Sequence, residues 1–126
     1  MLSKINEFEQ GVNLPDGSVP STTYWLVQDN ELIGVSNLRH ELNKQLTTAG
    51  GHIGLGIRPS FRRQGLGIKL LKMTLEQAKN KGINPVHIHC YQDNIASARM
   101  IMACGGLFDS EIEQDGVVVV RYLVKT

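Results

Sequence analysis

The chain has 126 residues, of which 41% are hydrophobic and 20% charged, and its formal net charge is +1. This length is sufficient for one domain with its own hydrophobic core, so we expect residues 1–126 to form a single domain. The charge shows no basic excess of the kind that nucleic-acid binding requires, and no apolar run approaches the roughly 18 residues of a membrane helix. We therefore expect neither nucleic acid nor a membrane as a partner.

The two cysteines and the N-terminus indicate the compartment. Cys90 and Cys104 belong to no CxxC or metal-ligand spacing, so reduced thiols and no metal site are expected. The first residues lack the apolar core of a signal peptide. Together these features favour a cytoplasmic protein.

The N-terminal half alternates between turn-like and strand-like segments. Apolar residues at helical spacing predict a short helix over residues 2–10, and the Pro- and Gly-rich stretch that follows predicts a loop. Two strand-like runs on either side of Asp29-Asn30 predict a β-hairpin. These runs are residues 23–28 and 31–38. Residues 39–49 are expected to form one or two helical turns.

The C-terminal half alternates between strands and helices before a closing hairpin. The expected elements are a glycine-rich strand over 51–57, an amphipathic helix over 64–81, a strand over 85–91, a helix over 94–103 and hairpin arms over 107–113 and 117–124. A strand–helix–strand unit of this length implies two parallel neighbouring strands. We therefore predict an α/β (α+β) fold: a mixed, mostly antiparallel sheet with one parallel strand pair and helices on both faces.

Residues 62–67, RRQGLG, place a cationic and glycine-rich turn at the start of the amphipathic helix. The first N–H groups of a helix have no intrahelical partner, and the aligned peptide dipoles concentrate positive charge there. Gly65 and Gly67 leave these amides accessible, while Arg62 and Arg63 can add charge-assisted hydrogen bonds. The turn therefore predicts a phosphate-binding site.

Two common phosphate-binding motifs do not fit this turn. A Walker loop ends in Gly-Lys-Ser/Thr, which the chain lacks. A dinucleotide fingerprint needs a third glycine, where this chain has Leu70. It also needs an acidic residue about 20 positions further on, where this chain has Pro85 and Val86.

A third motif does fit. RRQGLG matches the (Arg/Gln)-x-x-Gly-x-(Gly/Ala) signature and resembles the GCN5-related N-acetyltransferases, the GNAT superfamily. NIAS at 94–97 followed by GGLF at 105–108 resembles the second block of that superfamily, and the similarity covers residues 22–126. More narrowly, GGHIGLGIRPS and DNIAS resemble a bacterial branch of predicted acetyltransferases. Family members usually begin with a strand that this chain is expected to lack. We therefore expect a short version of the fold or completion by a partner chain, which makes a homodimer plausible.

The resemblance implies acetyl-CoA as acetyl donor. It also implies direct transfer, in a ternary complex, to a primary amine of an unidentified small molecule or peptide. The strand before the turn would splay from its parallel neighbour to admit the donor. The implied donor-binding residues are Leu55, Gly56 and Ile57 for the pantetheine arm, Arg62, Arg63, Gln64, Gly65, Leu66, Gly67 and Ile68 for the diphosphate, and Asn94, which can equally cap its helix. The alternatives are a non-catalytic CoA-binding or sensor module and a structural subunit.

The resemblance also implies positions for the catalytic groups. The family often has a glutamate base at the position that is His89 here, and His52 on the preceding strand is a second candidate. An unperturbed histidine titrates near pH 6.5, so either ring can accept a proton at neutral pH. The position of the family's acidic tyrosine is Ile101. Either Tyr91 replaces it, therefore, or the thiolate leaves without a dedicated acid.

Overall fold

A computed structural model describes residues 2–7, 20–43, 50–62 and 65–126. Their order along the chain is β1–β2–β3–β4–α1–β5–α2–β6–β7, with a short 3₁₀ turn at Pro59–Phe61. The strands are β1 Leu2–Glu7, β2 Ser21–Gln28, β3 Glu31–Arg39, β4 Ile53–Ile57, β5 Val86–Tyr91, β6 Leu107–Gln114 and β7 Val117–Val124; the helices are α1 Leu66–Asn80 and α2 Ile95–Ala103. The predicted order of strands and helices from residue 51 onward is confirmed.

The N-terminal segment is a strand and not the predicted helix. β1 pairs antiparallel with β2, from Leu2 opposite Leu26 to Glu7 opposite Thr22. The prediction that the chain lacks a first strand was therefore also wrong. A bulge between Lys4 and Asn6 interrupts the two-residue alternation of the strand, so the apolar spacing resembles that of a helix.

The strands form two antiparallel sheets. One has the order β1-β2-β3-β4 and the other the order β5-β7-β6. β4 and β5 belong to different sheets, and an isolated bridge between Gly51 and Ile88 joins the segment that leads into β4 to β5 itself. The predicted parallel pair is not confirmed, because the described strands contain no parallel ladder.

One hydrophobic core holds the two sheets together although they share no ladder. Its buried members come from both sheets and both helices: Tyr24, Leu38, Ile53, Leu71, Leu75, Ala78, Ile83, Val86, Ile88, Ile101, Val120, Tyr122 and Val124. On α1, Leu70 also packs against Leu26 and Ile33 in a second cluster. Burial of a leucine side chain contributes about 1.5–3 kcal/mol, and the leucines of α1 contribute to both clusters.

The predicted hairpins are confirmed. Asp29 and Asn30 both have positive φ, as do Asp115 and Gly116, which is the backbone conformation that two-residue hairpin turns need. The helical turns expected over 39–49 are absent from the described part of that range, and residues 44–49 lie outside it. Of the loop predicted over 12–21, residues 12–19 lie outside the described residues, Pro20 is not in a regular element and Ser21 begins β2.

The two described helices contact each other. A Cβ on Gly67 of α1 would lie 2.9 Å from Sδ of Met100 on α2, so a side chain here would displace the end of Met100. That helices cover both faces of the sheet stays a prediction. Within the described ranges, no helix is long and apolar enough to cross a membrane.

Candidate functional site

The first backbone amides of α1 have no hydrogen-bond partner among the described residues. Gly65 precedes the helix with φ 74° and ψ 6°, and the amide of Lys69 bonds to the Gly65 carbonyl at 3.1 Å. The amides of Leu66, Gly67 and Ile68 lie ahead of that first helical bond and point out of the helix start. The first turn carries no acidic side chain, and a Cβ on Gly65 would meet no atom within 4 Å. The turn is open and suits the charge of a diphosphate.

The cationic part of the turn is described in part. Arg62 is exposed, and its Nε donates to the carbonyl of Ile57 at 3.2 Å, which ties the turn to the end of β4. Arg63 and Gln64 lie outside the described residues, and their role in binding stays a prediction. Gly67 also makes room for Met100 of α2, whose Sδ would lie 2.9 Å from a Cβ on it, and its role in donor binding stays a prediction.

β4 is an edge strand with an accessible side. It pairs with β3 along its whole length, and its sheet ends there. A strand paired on one side directs alternate N–H and C=O groups away from its neighbour. Gly56 is exposed, and a Cβ on it would meet nothing within 4 Å. Leu55 and Ile57 therefore offer backbone groups to an extended ligand beside the open turn, whereas those of Gly56 face Val35 of β3.

Three histidines lie where β4 and β5 part. The ring centroids of His52 and His87 are 5.4 Å apart, and those of His87 and His89 are 6.0 Å apart. His87 and His89 alternate along β5 with buried Val86 and Ile88, so their side chains lie on the face opposite the core. Sequence analysis named His52 and His89 as candidates and omitted His87. The one signal for His87 in the sequence was the two-residue alternation along β5, which puts it on the same face as His89.

Burial keeps His52 and His89 uncharged at neutral pH. It lowers the pKa of His52 to about 4, and the neighbouring His87 and Arg39 act in the same direction. It also lowers the pKa of His89 to about 4, where His87 and Arg121 add to the effect and Asp109 opposes it. Each ring therefore offers one N–H donor and one lone pair at pH 7.

His89 has unmet hydrogen-bonding capacity. Both of its ring nitrogens are buried and have no hydrogen-bond partner among the residues that the structure describes. A buried polar group without a partner costs about 1–3 kcal/mol, so such groups need a functional or structural reason. His89 Cδ2 lies 3.3 Å from the position that a Cβ on Gly51 would take, which places the ring against the segment that leads into β4.

The remaining candidates lie at the ends of their elements. Tyr91 ends β5 and is 58% exposed. Asn94 caps α2, because its Oδ1 accepts a hydrogen bond from the Ser97 amide at 3.1 Å. Ile101 is 2% exposed and belongs to the core, so the position of the family's tyrosine has a packing role here. Cys90 and Cys104 are free thiols.

Comparison with protein families settles the classification. The model described as "Acetyltransferase (GNAT) family" matches residues 5–105. The chain belongs to this family. It is an acyltransferase with acetyl-CoA as donor, and the GNAT resemblance of the RRQGLG turn is confirmed.

Solved structures of low sequence identity share the fold. The IAA acetyltransferase of Bacillus cereus is 18% identical with a TM-score of 0.70, and the alignment covers 100% of this chain and 99% of that one. A Bacillus subtilis acetyltransferase in complex with CoA is 20% identical with a TM-score of 0.63, with coverage of 85% and 76%. A spermidine N-acetyltransferase SpeG variant from Vibrio cholerae is 13% identical with a TM-score of 0.74, with coverage of 99% and 94%. A search of curated proteins gave no significant match.

Proposed function

We propose that the protein transfers the acetyl group of acetyl-CoA to a primary amine of a small molecule or peptide, by direct attack within a ternary complex. The observation that carries this proposal is His89, whose two buried ring nitrogens have no partner among the described residues and whose ring lies against Gly51, just before β4. The N–H of an incoming amine would donate a hydrogen bond to the ring nitrogen of His89 that carries no hydrogen.

The donor-binding residues are those at the start of α1 and along β4. The amides of Leu66, Gly67 and Ile68 would hold the diphosphate, and the free edge at Leu55–Ile57 would pair with the pantetheine arm as an added strand does. When bound, acetyl-CoA supplies an acetyl group activated as a thioester.

His89 would remove the proton that the amine must lose. A bond forms between the amine nitrogen and the acetyl carbon, and the carbon–sulfur bond breaks. The nitrogen becomes acidic as its new bond forms, so a neutral imidazole of low pKa can accept the proton. The sulfur leaves as a thiolate, for which a thiol pKa near 8.5 is favourable, or takes a proton from Tyr91 at the end of the same strand.

Thiol release from acetyl-CoA with a panel of primary amines tests the proposal. We expect at least one amine to release thiol, and His89→Gln to lower kcat/KM by about 10²-fold or more. The control is His40→Gln. His40 follows β3, and its Nε2 lies 2.7 Å from Oγ1 of Thr22 on β2. We expect this variant to retain its rate.

Each other outcome points to a different conclusion. A thermal shift with CoA but no thiol release with any amine would contradict transfer and favour the CoA-binding module. No shift at all would favour the structural subunit. Thiol release that is equal in His89→Gln and the enzyme would remove His89 from the mechanism.

A further inference from the structure

His52 joins the two sheets at the point where they part. Its carbonyl accepts a hydrogen bond from the amide of Arg39, the last residue of β3, at 2.7 Å. Its own amide donates to the carbonyl of His87 on β5, also at 2.7 Å. The residue is 6% exposed. The backbone of this single residue is therefore bonded to both sheets.

The imidazole of His52 makes a second bond to the same residue of β5. The amide of His87 donates to Nδ1 of His52 at 2.9 Å. In a continuous ladder, an amide in this position bonds to a carbonyl of the neighbouring strand. Here the His52 ring takes the place of that carbonyl. The chain can therefore diverge from β5 without leaving the His87 amide buried and unpaired.

This bond fixes the tautomer of His52. A ring nitrogen that accepts a hydrogen bond carries no hydrogen, so the neutral ring carries its proton on Nε2. The Nδ1 lone pair is thus already used. A general base needs a free lone pair, which His89 has and His52 lacks.

The segment before His52, residues 50–51, packs closely against both β3 and β5. Gly51 has φ +66°, and a Cβ on it would lie 2.6 Å from the carbonyl oxygen of His87. Nη1 of Arg39 donates to the carbonyls of Gly50 and Gly51 at 3.2 and 3.0 Å. The position of this segment beside β5 is therefore fixed by close packing against β5 and by the Arg39 hydrogen bonds from β3.

We propose that His52 is a positioning residue. By replacing a strand carbonyl, its Nδ1 sets where β4 separates from β5 and thereby places His89 relative to the open edge of β4. His89 lies two residues along β5 from the amide that Nδ1 holds. The inference rests on the proposed function, because a positioned base matters only if the protein transfers acetyl groups.

The test combines nitrogen NMR, amide exchange and kinetics. In the wild-type protein at neutral pH, Nδ1 of His52 should be unprotonated and the His87 amide protected from exchange. His52→Asn keeps an acceptor near the position of Nδ1, whereas His52→Gln moves it one methylene further along the chain. We expect His52→Gln to speed exchange of the His87 amide and to lower kcat by about 10- to 100-fold, since small displacements of reacting groups have effects of this order.

The pattern of effects separates positioning from simple destabilisation. Binding of CoA at the α1 turn should change by less than about threefold in both variants. His52→Asn should restore most of kcat and the protection of the His87 amide. A merely structural role would lower the melting temperature of His52→Gln and leave kcat per folded molecule unchanged, which would overturn the inference.

The remaining outcomes are also decisive. A protonated Nδ1 or an unprotected His87 amide in the wild type would overturn the inference, and this measurement holds even if His52→Gln fails to fold. If the wild type transfers acetyl groups to no amine in the panel, the proposed function fails and the positioning role fails with it. If the wild type does transfer them and His52→Gln keeps its rate, only the positioning role fails.

Discussion

The two ends of α1 offer a matched test of the donor site. Gly65 before the helix has φ +74° and Gly82 after it has φ +75°, and a Cβ on either would meet no atom within 4 Å. An L-residue in this conformation costs about 1–2 kcal/mol. Gly65→Ala and Gly82→Ala should therefore lower the free energy of unfolding by the same amount, which corresponds to a loss of about 3–8 °C in Tm for a domain of this size.

CoA binding should distinguish the two variants. Only Gly65 precedes the unpaired amides of Leu66, Gly67 and Ile68. A methyl group in front of them displaces one or two hydrogen bonds to a charged group, each worth about 1.5–3 kcal/mol, so we expect Kd to rise by about 10- to 100-fold or more. Gly82→Ala should bind within about twofold of wild type.

Isothermal titration with CoA and urea unfolding measure the two effects separately. Equal losses of stability with a binding defect confined to Gly65→Ala would support the diphosphate site at the start of α1. Equal CoA affinity in the two variants would refute it, because the strain is matched and only the position relative to the amides differs.

Two further predictions concern pH and a buried hydroxyl pair. Unfolded histidines take up protons below about pH 6.5, whereas folded His52 and His89 resist protonation down to about pH 4. The free energy of unfolding should therefore be constant above pH 6.5 and fall below it, by up to about 1.4 kcal/mol per pH unit for each ring. Urea unfolding between about pH 7 and 4.5 measures this slope, and a flat profile would contradict the buried neutral state. Thr74 Oγ1 donates to the Leu70 carbonyl at 2.8 Å, so it must accept the hydrogen of Ser36 Oγ, also 2.8 Å away. Thr74→Val should therefore cost about 1–3 kcal/mol by leaving the buried Ser36 hydroxyl unpaired, and Ser36→Ala should cost less; the reverse order in chemical denaturation would contradict this hydrogen-bond direction.

The features that sequence predicted well are local ones. The Gly65 turn could be recognised because its chemistry depends on neighbouring residues: a positive φ, a following helix and no acidic side chain in the first turn. The hairpin turns at Asp29-Asn30 and Asp115-Gly116 were equally readable. In each case the residues that determine the conformation lie within a few positions of one another.

The features that sequence missed depend on distant partners. The bulge in β1 arises from pairing with β2, which lies some twenty residues further along the chain, and apolar spacing cannot reveal it. His52 was named as a candidate base, but the group that occupies its Nδ1 is a backbone amide 35 positions away. Backbone amides occur at nearly every residue, so no residue type in the sequence identifies that partner.

The separation of the sheets and the open turn are parts of one arrangement. The edge of β4 is free because its chain contacts β5 through the isolated bridge at Gly51 and the hydrogen bonds of His52, both of which precede the strand. The turn lies next to that edge because Arg58 and Arg62 hold the short connection between β4 and α1. The Arg58 amide bonds to the Ile33 carbonyl at 2.8 Å, and Arg62 Nε bonds to Ile57. If β4 continued beside β5, no backbone groups would remain for an extended ligand, however well the turn bound its phosphates. A change that created a ladder between β4 and β5 should therefore leave diphosphate binding at the turn unchanged and abolish acetyl transfer.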